Sequence, residues 1–260
     1  TGFMKLIYIH GGPGLNSEPE KNIFPSTNNF KFIFWNEPIV SNTSKSSAYA
    51  NWLQSVEDCI NQEARDGKVI VMGHSFGAFA LNEILPRISS QIHKVILVSP
   101  IFDLLTLDLN IMNLAIKLLE ETGARDQALF FELKKNEMKS MTNSKRVEIL
   151  AQALNIDGLL LHYWKKQDSA KSYHQYLEKR PVSFDSFMMV RKSIQEDRLR
   201  HSFSGAVSIF YGKYDPVSSL FQNQQLQDQL YPNAETFILD HSGHYPHLEE
   251  SENLFSQINI

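Results

Sequence analysis

Short apolar runs recur along the chain at residues 6–9, 32–35, 69–72, 95–98, 207–211 and 236–239, each closed by a polar, Gly or Pro residue. Runs that are apolar at nearly every position, not at alternate ones, need cover on both faces, as strands of a parallel sheet do. Between them, apolar residues repeat at helical spacing over 46–62, 76–85, 218–230 and 250–258. Strand and helix in alternation predict a doubly covered, mostly parallel α/β sheet with right-handed crossovers. One long interval breaks the alternation. Residues 101–205 hold a single proline, Pro181, and three glycines, Gly123, Gly158 and Gly205, so this stretch reads as an inserted helical cap. The expected organisation is a core of residues 1–100 and 206–260 with a cap, or lid, of residues 101–205.

Composition narrows the function more than the fold. At 260 residues with 42% hydrophobic and 21% charged side chains, the chain has ordinary globular usage and can bury a substantial core. Its 25 Lys and Arg against 29 Asp and Glu give a net charge of −4, which argues against a nucleic-acid partner. The 101–205 segment, with 16 basic and 14 acidic residues, differs too mildly from the rest to name a ligand. A lone cysteine, Cys59, excludes an intrachain disulfide and a cysteine-based metal cluster. No apolar run is long enough to span a bilayer, and the N-terminal residues do not read as a secretory signal. The expectation is a cytoplasmic protein without a membrane partner, acting on a small-molecule substrate.

The chemistry is signalled at the ends of the apolar runs. Gly73-His74-Ser75-Phe76-Gly77 lies between the run at 69–72 and the helix starting at 76, so its G-x-S-x-G pattern falls on a strand-to-helix turn. A serine there takes a strained backbone, and its neighbours two positions away must be small. Serine is a poor nucleophile until a base removes its proton, and the base needs an acid to orient it. Asp215 follows the run at 207–211, and His244 follows the run at 236–239. The order Ser75, Asp215, His244 suits a nucleophile, acid and base carried at successive strand ends. Asp103, just beyond the fourth run, is the reserve acid. His241, His244 and His247 could suggest a metal site, but no H-E-x-x-H or other acidic ligand pattern accompanies them, and no metal is expected. His241 and His247 read as surface or packing residues. After the first run, His10-Gly11-Gly12-Pro13-Gly14 lets the backbone approach a ligand closely, so an oxyanion hole is expected from Phe76 N–H with either Gly11 or Gly12. The Lys-Ser/Thr pair of a phosphate-binding loop is absent after Gly14.

With these motifs the chain resembles the α/β-hydrolase superfamily over its whole length, with residues 101–205 in the place of the cap. His10 to Gly14 is similar to the oxyanion motif of the proline iminopeptidase-like branch, as are the segments around Asp215 and His244. The resemblance implies aminopeptidase activity as one candidate. Such enzymes hold a free N-terminal amine with acidic cap residues, for which Glu132, Glu137 and Glu148 are available. Phe76 stands where those peptidases more often carry Trp, and GHSFG is equally at home in esterases. The reading is therefore a serine hydrolase cleaving a small ester, or an amide, through an acyl-enzyme, with no cofactor. The alternatives are an iminopeptidase-like aminopeptidase and a non-catalytic small-molecule-binding protein on the same fold. His162, Tyr163 and Trp164 are the candidate substrate-binding residues; Phe184, Phe187 and Met188 could also line a pocket.

Overall fold

The computed structural model describes residues 3–26, 29–38, 47–195 and 200–258. Every expected strand is present: β1 (Met4–Ile9), β2 (Phe30–Trp35), β3 (Val69–His74), β4 (Ile92–Val98), β5 (Val207–Gly212) and β6 (Ala234–Leu239). They form one sheet in the order β2-β1-β3-β4-β5-β6, and every neighbouring pair is parallel. Side chains alternate across it. Leu6, Tyr8, Ile70, Met72, Ile96 and Val98 belong to one apolar cluster, whereas Ile7, Ile9, Val69, Val71, Val95 and Leu97 belong to the other. Both sets are fully buried, which is why the runs carry no polar period.

The chain passes from β1 to α1 (Glu18–Ile23), then through β2 to α2 (Ala48–Glu63), β3 and α3 (Phe76–Ile88). The sequence does not signal α1. Its six residues lack an apolar stripe, and it buries Pro19 and Glu20 instead. Conversely, α3 runs past the boundary expected at Leu85 and takes Pro86 into its last turn, giving up one N–H of the ladder. The start expected for α2 at residue 46 lies outside the described residues.

Between β4 and β5 the described residues contain helices and no strand. These are α4 (Leu104–Glu121), α5 (Arg125–Glu137), α6 (Asn143–Leu154), α7 (Gln167–Leu177) and α8 (Phe184–Lys192), with a 3-10 turn at Leu159–Tyr163. After β5 come α9 (Leu220–Leu230), β6, and a C-terminal pair, α10 (Pro246–Glu249) and α11 (Ser251–Ser256), where the sequence suggests one helix. None of the described helices is long and apolar enough to cross a membrane. The connection after β1 leads outward to β2, and the one after β2 crosses back over β1 to β3, so the carboxyl ends of β1 and β3 flank the point where the strand order reverses. Open parallel sheets leave a crevice for ligands at such a point.

Candidate active site

Ser75 is the residue between β3 and α3, held at φ 50° and ψ −113°, with its N–H donated to the Val98 carbonyl at 2.9 Å. Positive φ is costly for a residue with a Cβ, about 1–3 kcal/mol, and persists only where the surroundings impose it. The surroundings here are tight. A Cβ on Gly77 would come within 2.5 Å of the Ile9 carbonyl oxygen and 2.7 Å of that of His10, and one on Gly73 within 2.8 Å of the Ala78 nitrogen. The two glycines thus let α3 lie directly against β1 and β3, and the serine is turned out at the sheet's carboxyl edge.

Loops after β5 and β6 bring two further groups to it. His244 Nε2 lies 2.9 Å from Ser75 Oγ, and His244 Nδ1 lies 2.8 Å from Asp215 Oδ2. The other Asp215 oxygen accepts from the Val217 and Ser218 N–H groups, each at 2.9 Å. A carboxylate fixed in this way holds the proton on His244 Nδ1, leaving Nε2 to accept from the serine hydroxyl. Asp103 has a different place: it caps α4 through Thr106 N–H and pairs with Arg200. The three histidines of the β6 loop also part company. His241 is exposed and donates its backbone N–H to Glu250, while His247 is buried against Tyr8 and Glu20.

The glycine segment after β1 lies beside the serine, and both line one cavity of about 330 Å³. His10 stacks on Trp35 and donates Nδ1–H to the Gly11 carbonyl at 2.8 Å, while its Nε2 accepts from Glu37 N–H. The peptide that follows is trans, so pinning the Gly11 carbonyl towards His10 turns the Gly12 N–H the opposite way. Phe76 opens α3, where first-turn N–H groups have no partner within the helix.

Several residues that organise the site carry no motif. Glu249 of α10 accepts from Lys165 N–H, Lys166 N–H and Gly243 N–H at 2.6–2.8 Å, while His244 N–H donates to the Tyr163 carbonyl. The β6 loop is thereby fastened to the segment after the 3-10 turn. Burial pushes the Glu249 carboxyl upward in pKa, against the opposing pull of those N–H groups. Glu37 accepts from Gly14 N–H, Ser186 Oγ–H and Trp52 Nε1–H. His74 donates Nε2–H to the His244 carbonyl at 2.8 Å. Among the expected substrate-binding residues, Tyr163 and Trp164 line the cavity, with Trp164 stacked on Tyr245 at 4.1 Å. His162 is exposed and is not part of the lining. Phe184 and Phe187 line it as well, whereas Met188 does not. Glu132, Glu137 and Glu148 pair with Lys135, Lys134 and Lys192 outside it.

Residues 6–251 match the model of the alpha/beta hydrolase fold family, and the chain belongs to that family. Among solved structures it is similar to a proline iminopeptidase-related protein from Thermus thermophilus, with a TM-score of 0.69 and 14% identity over 98% of this chain and 87% of that one. It is also similar to an esterase from Exiguobacterium antarcticum, at TM-score 0.62 and 14% identity over 98% and 91% of the two chains. An epoxide hydrolase from Bacillus megaterium aligns at TM-score 0.63 and 15% identity, over 98% and 92%. No curated protein sequence matches the chain significantly.

Proposed function

We propose that the protein is a serine hydrolase that cleaves a small ester through an acyl-enzyme, with residues 101–205 acting as the cap over its site. The observation that carries this reading is the unbroken chain Ser75 Oγ, His244, Asp215, with hydrogen bonds of 2.9 and 2.8 Å, at the wall of a largely apolar cavity. Ser75 Oγ bonds to the acyl carbon while its proton passes to His244 Nε2. The carbon–oxygen bond to the leaving group then breaks, and His244 gives that proton to the departing alkoxide. Water, deprotonated by His244, releases the acid and restores the serine. Asp215 stabilises the imidazolium formed in each half. Phe76 N–H and Gly12 N–H serve as the oxyanion donors; Gly12 is preferred to Gly11 because His10 fixes the orientation of the peptide between them. One such donor contributes about 3–4 kcal/mol of transition-state stabilisation.

An ester is favoured over an N-terminal proline peptide by what the cavity lacks. Recognition of a free amine calls for a carboxylate, and among the described residues no Asp or Glu lines the cavity. The test is turnover of a nitrophenyl ester series and of proline nitroanilide, with Ser75→Ala beside the native enzyme. Ester hydrolysis and fluorophosphonate labelling that both disappear in Ser75→Ala, with the anilide untouched, are expected. Ester turnover that survives Ser75→Ala overturns the assignment, and serine-dependent anilide turnover moves it to the aminopeptidases.

A further inference from the structure

We propose that Arg191 makes the closed end of the cavity an anion site, so that the substrate is a small ester whose acyl chain ends in a carboxylate. The inference rests on the serine hydrolase reading and adds its substrate class. Arg191 belongs to α8, is only 2% exposed, and lines the same cavity as Ser75 and His244. A guanidinium in an apolar enclosure calls for anionic partners on its forked donors. Arg191 is served only in part. Its Nη2 lies 2.8 Å from Asp108 Oδ1, but the other Asp108 oxygen is taken by Arg146 Nε at 3.1 Å. Asp108 is wholly buried between two guanidinium groups, so it does not grip Arg191 through both oxygens. The Arg191 Nε–H is buried without a hydrogen-bond partner. The Arg191 side chain contributes to a cavity wall otherwise built from Leu107, Ile111, Leu150, Leu154 and their neighbours, and a purely structural clamp of α4, α6 and α8 leaves its Nε–H unpaired.

The placement also says which half of the substrate is charged. Leu160, Val182 and Phe184 line the cavity and are 43–53% exposed, which marks the mouth, while Arg191 lies at the buried end. In acyl-enzyme chemistry the alcohol leaves first, past the mouth, while the acyl group stays bonded to Ser75. The buried end therefore receives the acyl chain. No Asp or Glu among the described lining residues would repel a terminal carboxylate there.

The test compares two esters of equal chain length, mono-4-nitrophenyl adipate and 4-nitrophenyl hexanoate, with Ser75→Ala as the blank. A charge-assisted pair at Arg191 should make kcat/KM for the adipate ester at least about tenfold higher than for the hexanoate in the native enzyme. Arg191→Gln should lose or invert that preference, read as the ratio of kcat/KM for the two esters, and Arg191→Lys should retain part of it. The native enzyme alone decides should the Gln variant fail to fold. Equal turnover of the two esters, or preference for hexanoate, removes the anion site and leaves the hydrolase reading standing. Should neither ester be hydrolysed while Ser75 still reacts with a fluorophosphonate, protection of that labelling by adipate and not by hexanoate supports the site, and its absence overturns it. Loss of labelling together with loss of turnover removes the hydrolase reading and the anion site with it.

Discussion

Glu249 shows how much of the site depends on a residue that does not touch the serine. Its two oxygens collect three backbone N–H groups, two from the segment after the 3-10 turn and one from Gly243, the neighbour of His244. Glutamine at this position keeps the shape but presents an NH2 where an acceptor is needed, leaving at least one buried N–H opposed by another donor. Glu249→Gln is therefore expected to lower kcat by about tenfold and stability by about 1–3 kcal/mol, with Ser75 still reactive. Ester kinetics and urea unfolding measured on the same preparation check both figures; unchanged kcat would mean that His244 is held in place without the clamp. Ser75, Asp215 and His244 could be singled out in the sequence because each follows an apolar run and the serine sits inside a glycine pair. Glu249 could not. Its only sequence signal is a place five residues beyond His244, and a glutamate is far more often solvated than buried.

At the scale of elements, the strands were readable because the central strands of a parallel sheet, buried on both faces, admit few polar positions. Their ends were not, since Met4, Lys5 and Lys31 lie in the paired register of β1 and β2 while carrying partly exposed or charged side chains. The individual helices between β4 and β5 were not readable either. They pack on one another and, through α7 and α8, on α1 and α2, so their apolar positions fall on more than one face. How they meet the core depends on a contact between glycine and backbone: Gly14 has φ +88°, and a Cβ there would stand 2.1 Å from the Ser183 carbonyl oxygen. In the same contact, Ser183 N–H donates to the Gly14 carbonyl at 2.8 Å, and Ser183 Oγ caps α8. Gly14→Ala must therefore displace the start of α8 or the glycine segment itself. The expected result is a stability loss of about 2 kcal/mol or more, with KM raised more than kcat is lowered, because the cavity wall moves while Ser75, His244 and Asp215 do not. Equal kinetics in the two proteins would show that α8 does not shape the cavity. Glu37, which holds Gly14 N–H, Ser186 and Trp52 together, makes this joint a part of the core's own hydrogen bonding.

For the whole molecule, the consequential feature is a buried polar file behind the serine. Tyr8 Oη–H donates to Glu20 Oε1 at 2.7 Å, and His247 Nε2 lies 3.1 Å from Tyr8 Oη and 3.3 Å from that same Glu20 oxygen. The single Tyr8 proton is already given to Glu20, so His247 carries its proton on Nε2. The His247 ring is 4.4 Å from that of His74, which in turn donates to the His244 carbonyl. Burial is the largest influence on both rings and holds each below its ordinary pKa; for His247 the Glu20 carboxylate pulls the other way and loses. The folded protein thus keeps both rings neutral where the unfolded chain, with histidines near pKa about 6.5, takes up protons. The unfolded state binds more protons below that value, so stability must fall as pH falls from about 6.5 towards the depressed folded values. Each ring can contribute up to about 1.4 kcal/mol per pH unit in this window. His247→Asn can still donate to Glu20 but does not titrate. Urea midpoints at pH values of about 7.5, 6.5 and 5.5, which bracket the ordinary histidine pKa, should therefore fall less steeply in His247→Asn than in the native protein, although the variant starts from lower stability. Parallel slopes would mean that His247 is protonated with little penalty in the fold, and that the file behind the serine is open to charge.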